Sequence, residues 1–337
     1  MRRFLIALAA LAVVGSLSAH AQAKWKVTKF LHIGEPTGWD YVTIYAPANR
    51  LFVTRVTHTD VVNTATDKLV ADIPGQIHSH GVAVVPAVNR GFIADGGGAG
   101  AIHIFNLKTY AVLGTIHTMP DTDGMIYDPS MNLILAVSGV EGKLMTLNPD
   151  VNVKNGKIGP PIDLEGHPEF LAAGRDGRVY VNIPDKNLVD VVDLKTRKVI
   201  AKWPVAPGGH PVGMSIDHKD HLIFVGCRGP QKLVVISTLT GKVVAALPIG
   251  MRVDATRYAD GQAFASCWNG VLVVAGKKGG KWVVEQDVKT HYGARTMGID
   301  RLTHTIFLPA ATFEPAPNGK GQQMKPGSFI LVKVSQE

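Results

Sequence analysis

The chain has 337 residues, 46% hydrophobic and 18% charged, with 35 Lys and Arg against 27 Asp and Glu and a net charge of +8. That balance excludes a disordered or low-complexity polypeptide, and two cysteines in a chain this long exclude a disulfide-dense scaffold. The basic excess is small and scattered; its densest cluster, Lys277-Lys278-Gly279-Gly280-Lys281, reads as a solvated hairpin tip. A nucleic-acid surface would gather its cations on one face with aromatics between them.

The N-terminus reads as an export signal. Arg2 and Arg3 precede an apolar run over residues 4–17, and Ala21-Gln22-Ala23 has the small-x-small form of a cleavage site. The run is shorter than the roughly 20 residues a membrane span needs. Residues 1–23 are therefore expected to be removed after Ala23, leaving a periplasmic or secreted protein. Loss of Arg2 and Arg3 leaves 33 basic residues against 27 acidic ones, or +6. No later stretch is long or apolar enough to span a bilayer, and residues 24–337 read as one domain.

Residues 24–33 (KWKVTKFLHI) alternate like a single strand with no hairpin partner beside it. After it the chain repeats one unit of about 40 residues: four short strands separated by turn residues, the unit of a β-propeller blade. Residues 210–250 show it most plainly, with breaks at Asp217-His218-Lys219-Asp220, Arg228-Gly229-Pro230 and Thr240-Gly241. The first two units occupy residues 39–73 and 80–116, and align Asn49-Arg50-Leu51-Phe52 with Asn89-Arg90-Gly91-Phe92. Later units start near Asp123, His167, His210, Asp254 and Arg295. The third has a long tail over 148–161, and the seventh carries the longest insertion, residues 312–327. A second marker has the same period: Asn63-x-x-Thr66, Asn106-x-x-Thr109, Asp193-x-x-Thr196 and Ser237-x-x-Thr240. These side chains bond local backbone and cap tight turns.

The seventh unit supplies only three strands before the chain ends, and the orphan strand at 24–33 supplies the fourth. The expected fold is all-β: a seven-bladed β-propeller whose last blade is closed by the N-terminal strand, removing two free sheet edges. Leu51-Phe52-Val53-Thr54, Val61-Val62-Asn63-Thr64-Ala65-Thr66, Pro211-Val212-Gly213-Met214 and Ile236-Ser237-Thr238-Leu239-Thr240-Gly241-Lys242 resemble the repeats of the YVTN-repeat (YncE-like) seven-bladed propellers. The resemblance covers essentially all of residues 24–337. It implies an exported binding or scaffold protein; it is specific for fold and weak for activity. A monomer is expected.

In a propeller the first strand of each blade lines a central channel, so the residues just before those strands gather at one mouth. The unit alignment puts Asp40, His80, Asp123, Glu169, Val212, Asp254 and Arg295 at that step, and Gly38, His78, Asp121, His167, His210, Arg252 and Gly293 two residues earlier. The second strands return to the same mouth at Arg55, Asp95, Ser138, Ile183, Cys227, Cys267 and Ala310. Histidine and carboxylate converging in this way form a ligand set for a divalent metal. His80, Asp123, His167, His210 and Asp254 are the candidate ligands. The other expected ligand-binding residues are Asp40, His78, Asp121, Glu169, Arg252 and Arg295. Anionic members outnumber Arg252 and Arg295, which favours a cation. Cys227 and Cys267 sit at equivalent points of adjacent units, too far apart for a disulfide; two free thiols near the mouth leave copper or zinc open. Trp39 and Trp268 flank the mouth and offer stacking surfaces. Gly96-Gly97-Gly98-Ala99-Gly100 joins two strands and opens no helix, which argues against a phosphate cradle.

Three functions fit these residues. One is a periplasmic propeller that binds a small molecule or metal at the mouth, or acts as a scaffold. A second is a metal-assisted lactonase, hydrolase or lyase using the same funnel. The third is a platform for a periplasmic protein partner, with residues 312–327 as its arm. A polar channel lined only for solvation is the alternative to the first two.

Overall fold

The computed structural model describes residues 24–33, 37–317 and 320–336; the expected signal at residues 1–23 lies outside them. The described chain is built of antiparallel strands, with three short 3-10 turns and no α-helix. Four sheets are four-stranded meanders, running in sequence order outward from the strands Thr122–Asp128, Leu171–Ala173, Pro211–Asp217 and Val253–Ala259. In a fifth sheet the strand Trp25–His32 lies outside Ile330–Gln336, Thr305–Ala310 and Gly298–Asp300. The N-terminal strand pairs antiparallel from Trp25↔Gln336 to His32↔Ile330.

The first two sequence units share one seven-stranded sheet. A break between residues 73 and 80 was expected; the chain instead continues as one 18-residue strand, Lys68–Val85, with register shifts near His58 and between Ser79 and Val82. Gly75 (φ 97°) bends this strand without ending it.

The innermost strands touch in cyclic order. Val42–Tyr45 meets Lys68–Val85, which meets Thr122–Asp128; Leu171–Ala173, Pro211–Asp217, Val253–Ala259 and Gly298–Asp300 follow, and the last meets Val42–Tyr45 again. The core is divided into layers between neighbouring sheets. Phe92, Ile104, Ile134 and Met145 form one such layer, Tyr180, Val189, Val225 and Val234 a second, and Phe264, Leu272, Ile306 and Val332 a third. Each strand buries alternate residues on each face, so both faces of a sheet carry Val, Ile, Leu and Phe.

The turn chemistry follows the residues. Pro starts the 3-10 turns Ala46–Ala48, Pro86–Val88 and Pro184–Lys186, within their first two positions, and Asn49, Asn89 and Asn187 close them in the left-handed region. Proline presets φ for such a turn, and asparagine tolerates positive φ better than other residues with a side chain. In the tight turns, Asn63 Oδ1 accepts from the Ala65 and Thr66 amides, Asn106 Oδ1 from Lys108 and Thr109, and Asp193 Oδ1 from Lys195 and Thr196.

Candidate functional site

One end of the ring holds a polar cavity of about 260 Å³, lined by Trp39, Asp40, Tyr41, Val56, His78, Ser79, His80, Asp123, Glu169, Arg228, Asp254 and Arg295. Most of its charged groups stand at or just before the inner strands, His78 and His80 within the long strand Lys68–Val85 and Arg228 at the end of the second strand Leu222–Arg228, and glycines bring them together. Gly81 follows His80, and a Cβ there would stand 2.7 Å from the Met125 amide nitrogen; a Cβ on Gly124, which follows Asp123, would stand 2.5 Å from the Glu169 carbonyl. Without side chains at these points the inner strands approach closely, and the residues before them converge. The Asp40 amide donates to the Thr54 carbonyl and the Asp40 carbonyl accepts from Thr296 Oγ1, fixing that residue between two sheets.

Asp40, His80 and Asp123 form the tightest group. His80 Nδ1 is 2.5 Å from Asp40 Oδ2 and 3.3 Å from Asp123 Oδ1, and one ligand atom from each residue lies within 4.8 Å of the others. On its far side, His80 Nε2 is 3.2 Å from His78 Nδ1. Burial works against charge on His80, but the Asp40 hydrogen bond and the Asp123 and Asp40 charges win and raise its pKa to about 9. Burial and the surrounding carboxylates, against the pull of His80, push Asp123 well above the usual carboxylate range. Asp123 Oδ1 is buried and accepts no hydrogen bond. Burial first, then the Asp254 charge, raise Glu169 to about 7.

The other side of the cavity is cationic. Asp254 pairs with Arg228 Nη2 and, at 3.0 Å, with Arg295 Nε. Arg295 also faces the Trp268 ring, 5.4 Å from its centroid. Trp39 and Trp268 pack on Phe313 of the short hairpin Phe313–Pro315/Gln322–Met324, so this hairpin leans on the rim. Among the described residues neither indole N–H has a hydrogen-bond partner.

Seven of the eleven residues expected at the mouth line this cavity: Asp40, His78, His80, Asp123, Glu169, Asp254 and Arg295. Asp121, His167, His210 and Arg252 do not. Asp121, His210 and Arg252 adopt left-handed backbone (φ 57°, 50° and 53°), which turns the chain just before the inner strand. His78 sits in continuous extended strand instead, so it keeps to the same side as His80, two residues on. Among the expected metal ligands, His80 and Asp123 come together, with Asp40 as the third member. His167 is exposed, with Nδ1 2.8 Å from the Gly139 carbonyl oxygen. His210 is exposed and held through its amide by Asn187, and Asp254 is engaged by its two arginines.

The second-strand residues need correction. Cys227 and Cys267 are free but wholly buried among aliphatic side chains. Burial pushes both thiols up to about 12, so they offer no thiolate to copper or zinc. The residue that reaches the cavity is the next one, Arg228, which the unit alignment passed over. Arg55 is fully buried; it pairs with Asp60 at 2.6 Å, faces the Phe329 ring at 3.5 Å and donates to the Gly38 and Thr37 carbonyls, anchoring the approach to Trp39 and Asp40. Asp95 accepts from the amides of Ile77, His78 and Gly97 and bonds His103 Nε2, thereby fixing the His78 backbone.

No family model matches the chain, and no curated protein matches it. Solved structures do. The WD40 β-propeller domain of Doa1 superposes with a TM-score of 0.73 at 10% identity, over 93% of this chain and 97% of that one. Kuenenia stuttgartiensis hydrazine synthase superposes with a TM-score of 0.70 at 9% identity, over 87% and 96%. At such identities the likeness concerns fold alone, and with the four-stranded antiparallel sheets it makes this chain a β-propeller.

Proposed function

We propose that the chain is an exported, seven-bladed propeller of the YVTN-repeat type that binds a divalent cation at its acidic mouth. Seven inner strands in cyclic contact support the blade count, the pairing of Trp25–His32 with Ile330–Gln336 supports closure by the N-terminal strand, and the leader-like residues 1–23 support export. The observation that carries the binding site is the Asp40–His80–Asp123 group. Two carboxylates and an imidazole nitrogen are a fitting donor set for zinc or manganese. Asp123 Oδ1 is buried and faces His80 Nδ1 at 3.3 Å, so the three donor atoms converge on one point. His80 Nε2 faces His78 Nδ1, the kind of outer partner that orients a metal-bound imidazole.

In the ion-free protein the proton on His80 Nδ1 does the work of a cation, holding two carboxylates that would otherwise repel. A bound metal would take that proton's place, held by Asp40, His80 and Asp123. Affinity should therefore rise with pH, about tenfold per unit for each proton displaced from His80 and Asp123, up to about pH 9 rather than levelling off near 6.5. Calorimetric titration of chelator-treated protein with Zn²⁺ and Mn²⁺ should give one site per chain. Asp123→Asn should weaken it by about 100-fold or more and His78→Ala by roughly 10- to 100-fold, while His167→Ala and His210→Ala change nothing. Absence of binding, or equal affinity in wild type and Asp123→Asn, would retire the metal reading.

One observation favours a catalytic use of the same cavity. Glu169, raised to about 7, changes charge near neutral pH and faces the mouth beside Arg228 and Arg295. A metal would there polarise a carbonyl or activate water, in keeping with a lactonase, hydrolase or lyase. Turnover of such a substrate, lost in Glu169→Gln with metal affinity retained, would establish it.

A further inference from the structure

The opposite end of the ring opens into a wider cavity of about 700 Å³. The inner strands connect the two ends. On Lys68–Val85, His80 lines the acidic cavity and Val82 to Val84 the wide one; on Thr122–Asp128, Asp123 lines the first and Met125 to Tyr127 the second. Tyr41 lines the acidic cavity, Phe170 lines the wide one, and their rings meet at 5.0 Å between the two.

The charges of the wide cavity are one-sided. Its permanent cations are Arg175, Lys219, Arg257 and Arg301, and its carboxylate is Asp217, which leaves +4 − 1 = +3 with His218 neutral. Asp217 already accepts from the Lys219 and Asp220 amides. At the acidic mouth, Arg228 and Arg295 share Asp254 as counter-ion. Among the described residues, none of the four cations of the wide cavity has a carboxylate within ion-pair distance. Arg257 stands deepest. Its Nη1 donates to the Thr256 carbonyl at 2.8 Å and its Nη2 to the Val42 carbonyl at 3.4 Å, and its guanidinium is 5.9 Å from the Phe170 ring centroid. Carbonyl dipoles do not neutralise the charge of this half-buried guanidinium, and partial loss of water without a counter-ion is costly. Below the cationic rim the wall turns apolar, with Ile44, Val84, Met125, Phe170 and Met214.

We propose that this wide mouth binds a small organic oxyanion, its carboxylate or phosphate held by Arg257 and its apolar part against Met125, Phe170 and Met214. Arginine suits such a group because its planar fork donates two parallel hydrogen bonds to one oxyanion. The volume lies in the range of pockets that enclose small molecules. Arg175, Lys219 and Arg301, exposed at the rim, draw the anion in and make binding sensitive to salt.

The test is calorimetry on the full chain in chelator, with four probes: hexanoate, hexyl phosphate, inorganic phosphate and hexylammonium. Hexanoate or hexyl phosphate should bind one per chain, and the tighter of the two identifies the preferred head group. Inorganic phosphate should bind more weakly and hexylammonium not at all. Arg257→Gln should weaken the organic anion roughly 10- to 100-fold, the size of a lost charge-assisted hydrogen bond. The rim double variant Arg175→Gln/Arg301→Gln, exposed and remote from the core, should weaken it severalfold and flatten the salt dependence, and it stands in for Arg257→Gln should that chain misfold. Asp123→Asn should bind the anion as wild type does, which separates this site from the acidic mouth. The proposal fails if neither organic anion binds, if hexylammonium binds as well as they do, if inorganic phosphate matches them, or if folded Arg257→Gln binds like wild type.

Discussion

His80 is the residue on which the acidic mouth turns, and its charge couples the site to pH. A histidine whose folded pKa is raised to about 9 binds an extra proton between pH 6.5 and 9, so its contribution to stability is complete below 6.5 and lost as pH rises through 9. Glu169, raised from 4.5 to about 7, acts in the same direction one window lower, because the native state again holds the extra proton. Asp95 acts oppositely: despite partial burial, hydrogen bonds from His103 and three amides hold it below its usual 3.8, so its contribution disappears as the solution becomes strongly acidic. Together these groups place the greatest thermal stability of the metal-free protein near pH 4 to 5, with the melting temperature falling steadily toward pH 9. Scanning calorimetry in chelator checks this, and a melting temperature that climbs between pH 5 and 8 would contradict the protonated His80 cluster. Asp40, His80 and Asp123 were readable from the sequence because each falls at one phase of the repeat. Arg228 was not: the alignment stopped at Cys227, and the register shift between Pro211 and Met214 leaves the following residue to reach the cavity. Left-handed backbone at His210 and Arg252 has no signature in residue type either, so positions two before the strand looked equivalent to His78.

At the scale of elements, the strand Trp25–His32 carries the argument. Its outer position was legible from arithmetic, since one unit lacked a strand and one strand lacked a unit. What it anchors was not. Trp25 is 4% exposed, packs edge-on against Phe264 of the adjoining sheet at 5.0 Å and donates Nε1–H to Gln262 Oε1 at 2.9 Å. Trp25→Ala removes that packing and the shorter of the two hydrogen bonds that Gln262 Oε1 accepts, the other coming from Gln336 Nε2 at 3.3 Å, and should cost about 3–5 kcal/mol. Deleting residues 24–33 should cost at least as much and expose the Ile330–Gln336 edge to pairing with other chains. Denaturant unfolding together with light scattering measures both effects; a truncated chain that unfolds at the wild-type midpoint and stays monomeric would show that the strand closes nothing. The hairpin in the 312–327 insertion shows the limit of length as a guide. As the longest insertion it reads as a docking arm, yet Phe313 fastens its hairpin to Trp39, Trp268 and Tyr292, and Met324 packs on the same cluster.

Across the whole molecule the inner strands run between two unlike mouths, one acidic and narrow, the other basic and wide. The acidic one was legible because its histidines and aspartates fell in phase with the repeat. The basic one was hidden, since Arg175, Lys219, Arg257 and Arg301 occupy no common phase and meet only when the ring forms. The continuous strand Lys68–Val85 has its own consequence at this scale. Elsewhere the chain leaves one sheet by a loop before entering the next, so a sheet can open while its neighbours stay intact. Here one unbroken run of backbone belongs to the outer edge of the first unit and the inner edge of the second, and neither can detach without tearing the other. The two should behave as a single foldon. In native-state hydrogen exchange, the slow amides of Arg50–Thr54 and those of Arg90–Asp95 should share one opening free energy and one denaturant slope, about twice the slope of any four-stranded sheet that opens by itself. Distinct slopes for those two strands would mean that the shared strand transmits no cooperativity.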